Sequence, residues 1–230
     1  MTTQLSNMKK VSKAIGSFDN KIIAKELSKV ISKFNLKGKV IDYGCGQMPY
    51  KEFFENSEVI GADIPNPTMP TKATVMIEDY KTPLPDKSFD GAVCTEVIEH
   101  VEAPDKVLIE LRRLLKPNGF LILTAPFMIP EHDERDYWRF TLKGLKLLAA
   151  KNGFEAIHEK KLTKNFHSAG HLTGNAINVS LMKPGKKHRY LGAIIALPLY
   201  FIIRALMAVM NKPSSVNTGP MTNLVVCRKR

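Results

Sequence analysis

At 230 residues, 44% of them hydrophobic, the chain can build one large domain with its own core, or one domain and an appendage. Its three cysteines, Cys45, Cys94 and Cys227, stand far apart and outside any C-x-x-C pair, which excludes a disulfide framework or a cysteine zinc site and fits a reducing cytoplasm. The net charge of +12 sits at the two ends: residues 1–40 carry nine lysines against two acids (+7), 41–182 carry 16 basic and 20 acidic residues (−4), and 183–230 carry nine basic residues and no acid (+9). Such ends suit an anionic surface or ligand.

The first 17 residues are polar, with no apolar run of signal-peptide length, so a cytoplasmic location is expected. Ile22, Ile23, Leu27, Val30, Ile31 and Phe34 then recur at helical spacing, up to Gly38. KVIDYG is a short buried strand ending in glycine. Further strands are expected at about 58–64, 74–77 and 89–95. A helix runs from Pro104, a favoured first helical residue, to about Leu115. After a Pro117-Asn118-Gly119 turn comes the apolar strand FLILTAP. A helix over about 141–151 closes on Asn152-Gly153, followed by strands FEAIHEK and, at 223–229, NLVVCRK. Strands alternating with helices predict an α/β domain with a mostly parallel sheet covered on both faces. The domain plan is a helical and flexible segment over 1–37, a core over 38–182, a basic and apolar insertion over 183–220, and a final core strand over 221–230.

The chemistry is expected at Asp42-Tyr43-Gly44-Cys45-Gly46. A strand ends there in a turn whose glycines permit tight backbone angles and close approach to a ligand, with a helix expected to start near Met48–Phe54. In open α/β sheets, ligands sit at the carboxyl ends of the strands. Asp42 is placed to order the turn or to meet a charged amine. Asp63, 21 residues further on and ending the second strand, suits a ribose diol, because a carboxylate accepts two hydroxyl hydrogen bonds.

Four segments then match one pattern in order and spacing: VIDYGCG, GADI, LPDKSFDGAVCTEVIEHV and LRRLLKPNGFLILTAP, together spanning about Val40 to Pro126. In these the sequence resembles the class I S-adenosylmethionine (SAM)-dependent methyltransferases, small-molecule type, which implies a Rossmann-like seven-stranded fold and SAM as cofactor. The resemblance places Gly44, Cys45 and Gly46 along the methionine part of SAM, Asp63 on the ribose and Ile64 on the adenine. It also places an acid of the Glu78-Asp79-Tyr80 turn, Asp79 preferred, at the adenine amino group, and Thr95, Glu96 and His100 beside the cofactor. One departure is Met48, which stands where the family commonly has a third glycine. That residue and Pro49 disfavour a nucleotide-linked oxidoreductase.

The segment 126–141, PFMIPEHDERDYWRFT, leaves the end of a strand and should overhang the cofactor. His132 is the candidate base for a methyl acceptor, and Tyr137 and Arg139 the candidates for holding an anionic or hydroxylated one. The acceptor expected is a small molecule, a glycan or a lipid-linked species; the alternative is a non-catalytic SAM-binding adaptor. His167 and His171 lie four apart without an evident third ligand, so no metal is expected. No Asn/Asp-Pro-Pro-Tyr-like element accompanies the basic ends, which argues against a nucleic-acid substrate. The apolar run 191–210 is interrupted by Pro198 and Arg204. Its 13 residues before Arg204 give about 20 Å of helix, short of a bilayer core. A buried helix pair, a dimer contact or a monotopic contact with anionic membrane through 183–210 remain as readings.

Overall fold

The computed structural model describes residues 22–54, 57–65, 71–163, 168–170, 172–173, 198–203, 205–206, 209, 217 and 219–230. Helix α1 covers residues 22–33 and buries Ile23, Leu27, Val30 and Ile31, the stripe that its spacing predicts. The strands are β1 (Gly38–Tyr43), β2 (Ser57–Asp63), β3 (Val75–Met76), β4 (Phe89–Thr95), β5 (Leu115–Pro126), β6 (Phe154–Leu162) and β7 (Thr222–Lys229). Helix α2 spans Pro104–Leu114, and α3 spans Leu142–Lys151 behind a Thr141 side-chain cap on Gly144 N–H.

The strands form one seven-stranded sheet in the order β3-β2-β1-β4-β5-β7-β6. Strands β1 to β5 pair in parallel with one another, and β7 runs antiparallel to both β5 and β6. Strand alternation splits the core in two. Ile41, Ala92, Leu121, Leu123, Val225 and Cys227 pack with α2 and α3 on one face. Val40, Val93, Ile122, Leu224 and Val226 pack with α1 on the other. Each fully buried aliphatic side chain of this kind stabilises the fold by about 1.5–3 kcal/mol before entropy is counted. All three cysteines are buried and unbridged.

Two elements depart from the sequence expectation. No α-helix forms at Met48–Phe54; a single 3-10 turn, Lys51–Phe53, stands there instead. Met48 precedes Pro49, which disfavours helical backbone, and it takes a left-handed φ of 53°. Only ten residues separate Gly46 from β2, too few for a crossover helix, and Tyr50 and Phe54 plug the α1 face in its place. The expected turn at Pro117–Gly119 lies inside β5. It survives as an irregularity, in which Phe89 pairs with Leu115 but Gly91 with Phe120, and Asn118 has φ 62°.

Residues 198–203 are helical. Tyr200 is buried there, while Leu199, Phe201, Ile202, Leu206 and Val209 are exposed. Among the described residues no helix is long and apolar enough to cross a membrane. His167, His171 and residues 183–197 lie outside the described residues.

Candidate functional site

Strand β1 is flanked by β2, the next strand in the chain, and by β4. The chain reverses its direction of travel across the sheet there, leaving a crevice at the carboxyl ends of β1 and β4. The glycine turn lies at that crevice. Gly44 (φ 73°) and Cys45 donate their N–H groups to Ala62 O, at 2.8 and 3.2 Å, which ties the turn to β2. A Cβ on Gly44 would lie 2.4 Å from Val97 Cγ2, so the turn touches the segment after β4. A Cβ on Gly46 (φ 48°) would meet nothing within 4 Å; this side of the turn is open. Met48 fits because β2 makes room: its sulfur lies 2.9 Å from where Gly61 would carry a Cβ. The missing glycine of the loop is thus offset by a glycine in the neighbouring strand.

Asp63 braces the turn. Its Oδ2 accepts from Gly46 N–H at 2.8 Å and from Thr71 Oγ1 at 3.2 Å, and its Oδ1 accepts from Ile64 N–H. Oδ1 therefore keeps one lone pair for a ligand, and Thr71 can release Oδ2 by turning to Gly46 O, 3.0 Å away. Ile64 is 41% exposed beside it. Asp42, in contrast, is buried and makes no side-chain hydrogen bond among the described residues. Burial, seconded by the charge of Asp63, pushes its carboxyl up to about 7.

At the end of β4, Glu96 has a carboxylate that accepts from Thr124 Oγ1 on β5 (2.8 Å) and Thr222 Oγ1 on β7 (3.4 Å). Glu99, which the sequence reading passed over, is 1% exposed, and neither of its carboxyl oxygens has a hydrogen-bond partner. Burial, with the charge of Glu96, raises it well above the ordinary carboxylate range. Burial, seconded by the charges of Glu99, Asp42 and Glu96, pushes the Cys94 thiol up. Thr95, next in the chain, is half-buried. Asp79 and Tyr80 both have positive φ; the Asp79 side chain is exposed and pairs with Lys106 at 3.5 Å, and Tyr80 O accepts from Tyr43 Oη.

The segment 127–141 docks on the turn 98–102. Tyr137 N–H donates to Glu99 O, Trp138 Nε1 to Val101 O, and Tyr137 Oη to Glu102. His100 Nδ1 lies 2.7 Å from Arg135 O, and the His100 and His132 rings meet edge to face at 5.1 Å. His132 Nδ1 faces Asp136 Oδ2 at 2.9 Å, and its Nε2 makes no hydrogen bond among the described residues. Asp136 is gripped by the Arg139 guanidinium, which holds its carboxyl down at about 2. Arg139 spends every donor on this segment: Nε on Ile129 O, Nη1 on Asp136 and Trp138 O, and Nη2 on Asp136 and Pro130 O. The structure thus gathers His132, Tyr137, Arg139 and His100 into one cluster, with Glu99 under it. An acid beside His100 and three residues after Glu96, at the end of a buried strand, is the one sequence signal that points to Glu99. Among the described residues no group of three or more His, Cys, Asp or Glu side chains could hold a metal.

Residues 41–123 match the family model of the methyltransferase domain. An uncharacterized methyltransferase from Schizosaccharomyces pombe is 26% identical over 166 residues, which cover 57% of this chain and 59% of that relative. A SAM-dependent methyltransferase from Archaeoglobus fulgidus shares the fold with a TM-score of 0.54 and 19% identity, over 91% of this chain and 94% of that one. The Burkholderia thailandensis 1,6-didemethyltoxoflavin-N1-methyltransferase, solved with 1,6-didemethyltoxoflavin and S-adenosylhomocysteine, gives 0.55 and 14% over 90% and 77%.

Proposed function

We propose that this chain, a member of the class I SAM-dependent methyltransferases, binds SAM in the crevice beside β1 and transfers its methyl group to an acceptor seated under segment 127–141. The observation that carries the reading is the pairing of a buried, unbonded Asp42 with the open side of Gly46. A buried carboxylate without a partner is costly, and the cationic amine of a methionine moiety would satisfy it. Gly44, Cys45 and Gly46 give that moiety close backbone approach. Asp63 takes the ribose through the free lone pair of Oδ1, Ile64 covers the adenine, and Asp79 or Glu78 meets the adenine amino group. Thr95, Glu96 and His100 line the side toward the acceptor.

SAM supplies an electrophilic methyl group; this chain supplies alignment, exclusion of water and a place for the acceptor's proton. His132 is the candidate base. Asp136 orients its ring through Nδ1 and leaves Nε2 free, and Arg139 fixes Asp136 in turn. In this reading Arg139 positions the dyad, and Tyr137 is the member of the cluster left to touch the acceptor, with 45% of its surface exposed. The acceptor is a small molecule, a glycan or a lipid-linked species. For the last, the exposed apolar residues of 198–209 and the flanking Lys183, Lys186, Lys187 and Arg189 would rest on an anionic membrane from the cytoplasmic side.

Calorimetric titration with SAM, S-adenosylhomocysteine and NAD tests the cofactor assignment. Binding of the first two at micromolar concentration without NAD supports it; binding of NAD alone, or of none of the three, refutes it. Sedimentation with vesicles containing phosphatidylglycerol, compared with neutral vesicles, tests the surface. Equal recovery from both would remove the anionic-membrane reading.

A further inference from the structure

Three acids follow or end β1 and β4, Asp42 on β1 and Glu96 and Glu99 just after β4, and they are held differently. Glu96 is fixed as a hydrogen-bond acceptor by two threonine hydroxyls. Asp42 and Glu99 are almost fully buried; neither Glu99 carboxyl oxygen has a hydrogen-bond partner, and Asp42 makes no side-chain hydrogen bond among the described residues. Among the described residues the base beside Glu99 is His100, whose Nε2 is 3.7 Å from Glu99 Oε1, too far for a hydrogen bond. His100 Nδ1 is already committed to Arg135 O, so its proton belongs on that nitrogen. From the 127–141 segment, the charges of Asp136 and Arg139 reach Glu99 with opposite sign, and Arg139 is itself neutralised by Asp136. Among the described residues no cation is dedicated to Glu99. A carboxyl so placed stays protonated until a cation arrives.

We propose that Glu99 exchanges a proton as the charge on the bound cofactor changes, so that the site distinguishes the sulfonium donor from its thioether product. The inference rests on the cofactor reading above. SAM carries one positive charge more than S-adenosylhomocysteine, at the sulfur. When the donor binds, that charge ionises Glu99 and the proton leaves for solvent. In the transfer, the acceptor atom forms a bond to the methyl carbon, the carbon–sulfur bond breaks, and its electron pair stays on sulfur. The acceptor gives up one proton. Glu99, no longer opposed by a cation, takes one proton back, so the protons balance over the cycle. The product then faces a neutral acid and is held less tightly than the donor, which favours its departure.

The test is calorimetry on the full chain at pH 7, between the ordinary carboxylate range and the raised Glu99. SAM and S-adenosylhomocysteine are titrated separately in phosphate and in Tris, whose ionisation enthalpies differ. The buffer dependence of the heat counts the protons exchanged. Release of up to about one proton more with SAM than with S-adenosylhomocysteine is expected. Glu99→Gln copies the protonated side chain in size, so it should fold and bind both ligands. It should lose this difference in proton release and about tenfold of the preference for donor over product, the equivalent of one pKa unit. Equal proton release with the two ligands, or a difference that persists in Glu99→Gln, would overturn this inference alone. Failure of both ligands to bind the wild-type chain would overturn the cofactor reading and this inference with it.

Discussion

Replacing Gly44 by alanine tests how the glycine turn is built. Two costs can be read from the structure. The first is conformational: φ at Gly44 is 73°, and a Cβ in left-handed backbone costs about 1–2 kcal/mol. The second is steric. The new methyl would lie 2.4 Å from Val97 Cγ2 and 2.9 Å from Cγ1. A β-branched side chain has little rotameric freedom to retreat, so overpacking adds about 1–3 kcal/mol. Gly44→Ala should therefore destabilise the fold by about 2–5 kcal/mol, measured by urea unfolding. Val97→Ala alone removes two half-buried methyl groups and should cost about 1 kcal/mol. Together the two changes should be less than additive by about 1–3 kcal/mol, because Val97→Ala removes the clash and leaves only the conformational cost. Additivity within about 0.5 kcal/mol would show that the turn does not press on the segment after β4, and the contact between these two halves of the site would have to be abandoned.

Other perturbations separate binding, chemistry and scaffold. His132→Ala should lower turnover by about 10²-fold or more while leaving SAM affinity unchanged; full turnover would remove the base. Glu110 is buried and accepts from Thr82 N–H, Thr82 Oγ1 and the Arg113 Nε and Nη2, which pins the 78–88 loop to α2. Glu110→Ala should cost about 2–4 kcal/mol in urea unfolding, below the fully buried case because Arg113 keeps some solvent contact; a loss under about 1 kcal/mol would refute the anchoring role. Trp138, the single tryptophan, reports on segment 127–141. Arg139 holds Asp136 at about 2, below its ordinary 3.8, so the carboxylate's stabilisation is complete above about pH 5 and fades as the pH falls toward 2. Trp138 emission should shift to the red in that acid window, and Asp136→Asn should show the shifted emission already at neutral pH. A flat titration would show that the pair does not hold the segment.

Much of the α/β frame was legible because its signals are redundant. The stripe Ile23–Leu27–Val30–Ile31 has helical period and lies on one face, and FDGAVCT at 89–95 has both length and composition of a buried strand. The helix expected near Met48 failed because a single Met-Pro step outweighed the family pattern, and nothing local announced that Gly61, 13 residues away, would make room for the methionine. The candidate site was less legible. Asp42, Gly44, Gly46 and Asp63 follow from strand ends and a turn, which are local features. The condition of Glu99 depends on what does not surround it, and Arg139 is turned inward by three carbonyls and one carboxylate of its own loop. Both are properties of packing, which no spacing rule encodes.

The position of β7 has a consequence for how the protein is made. This strand lies inside the sheet, between β5 and β6, yet it follows both in the chain by a long interval. While a ribosome is still working through the residues between β6 and β7, the facing edges of β5 and β6 have no neighbour, and unpaired edges invite association with other chains. A nascent chain at that stage is one that a chaperone would have reason to hold. Thr222, which steadies Glu96, arrives with β7, so the acid-lined crevice is completed at the moment the sheet closes. A chain stalled before β7 would have its glycine turn and still lack the ordered floor of its site.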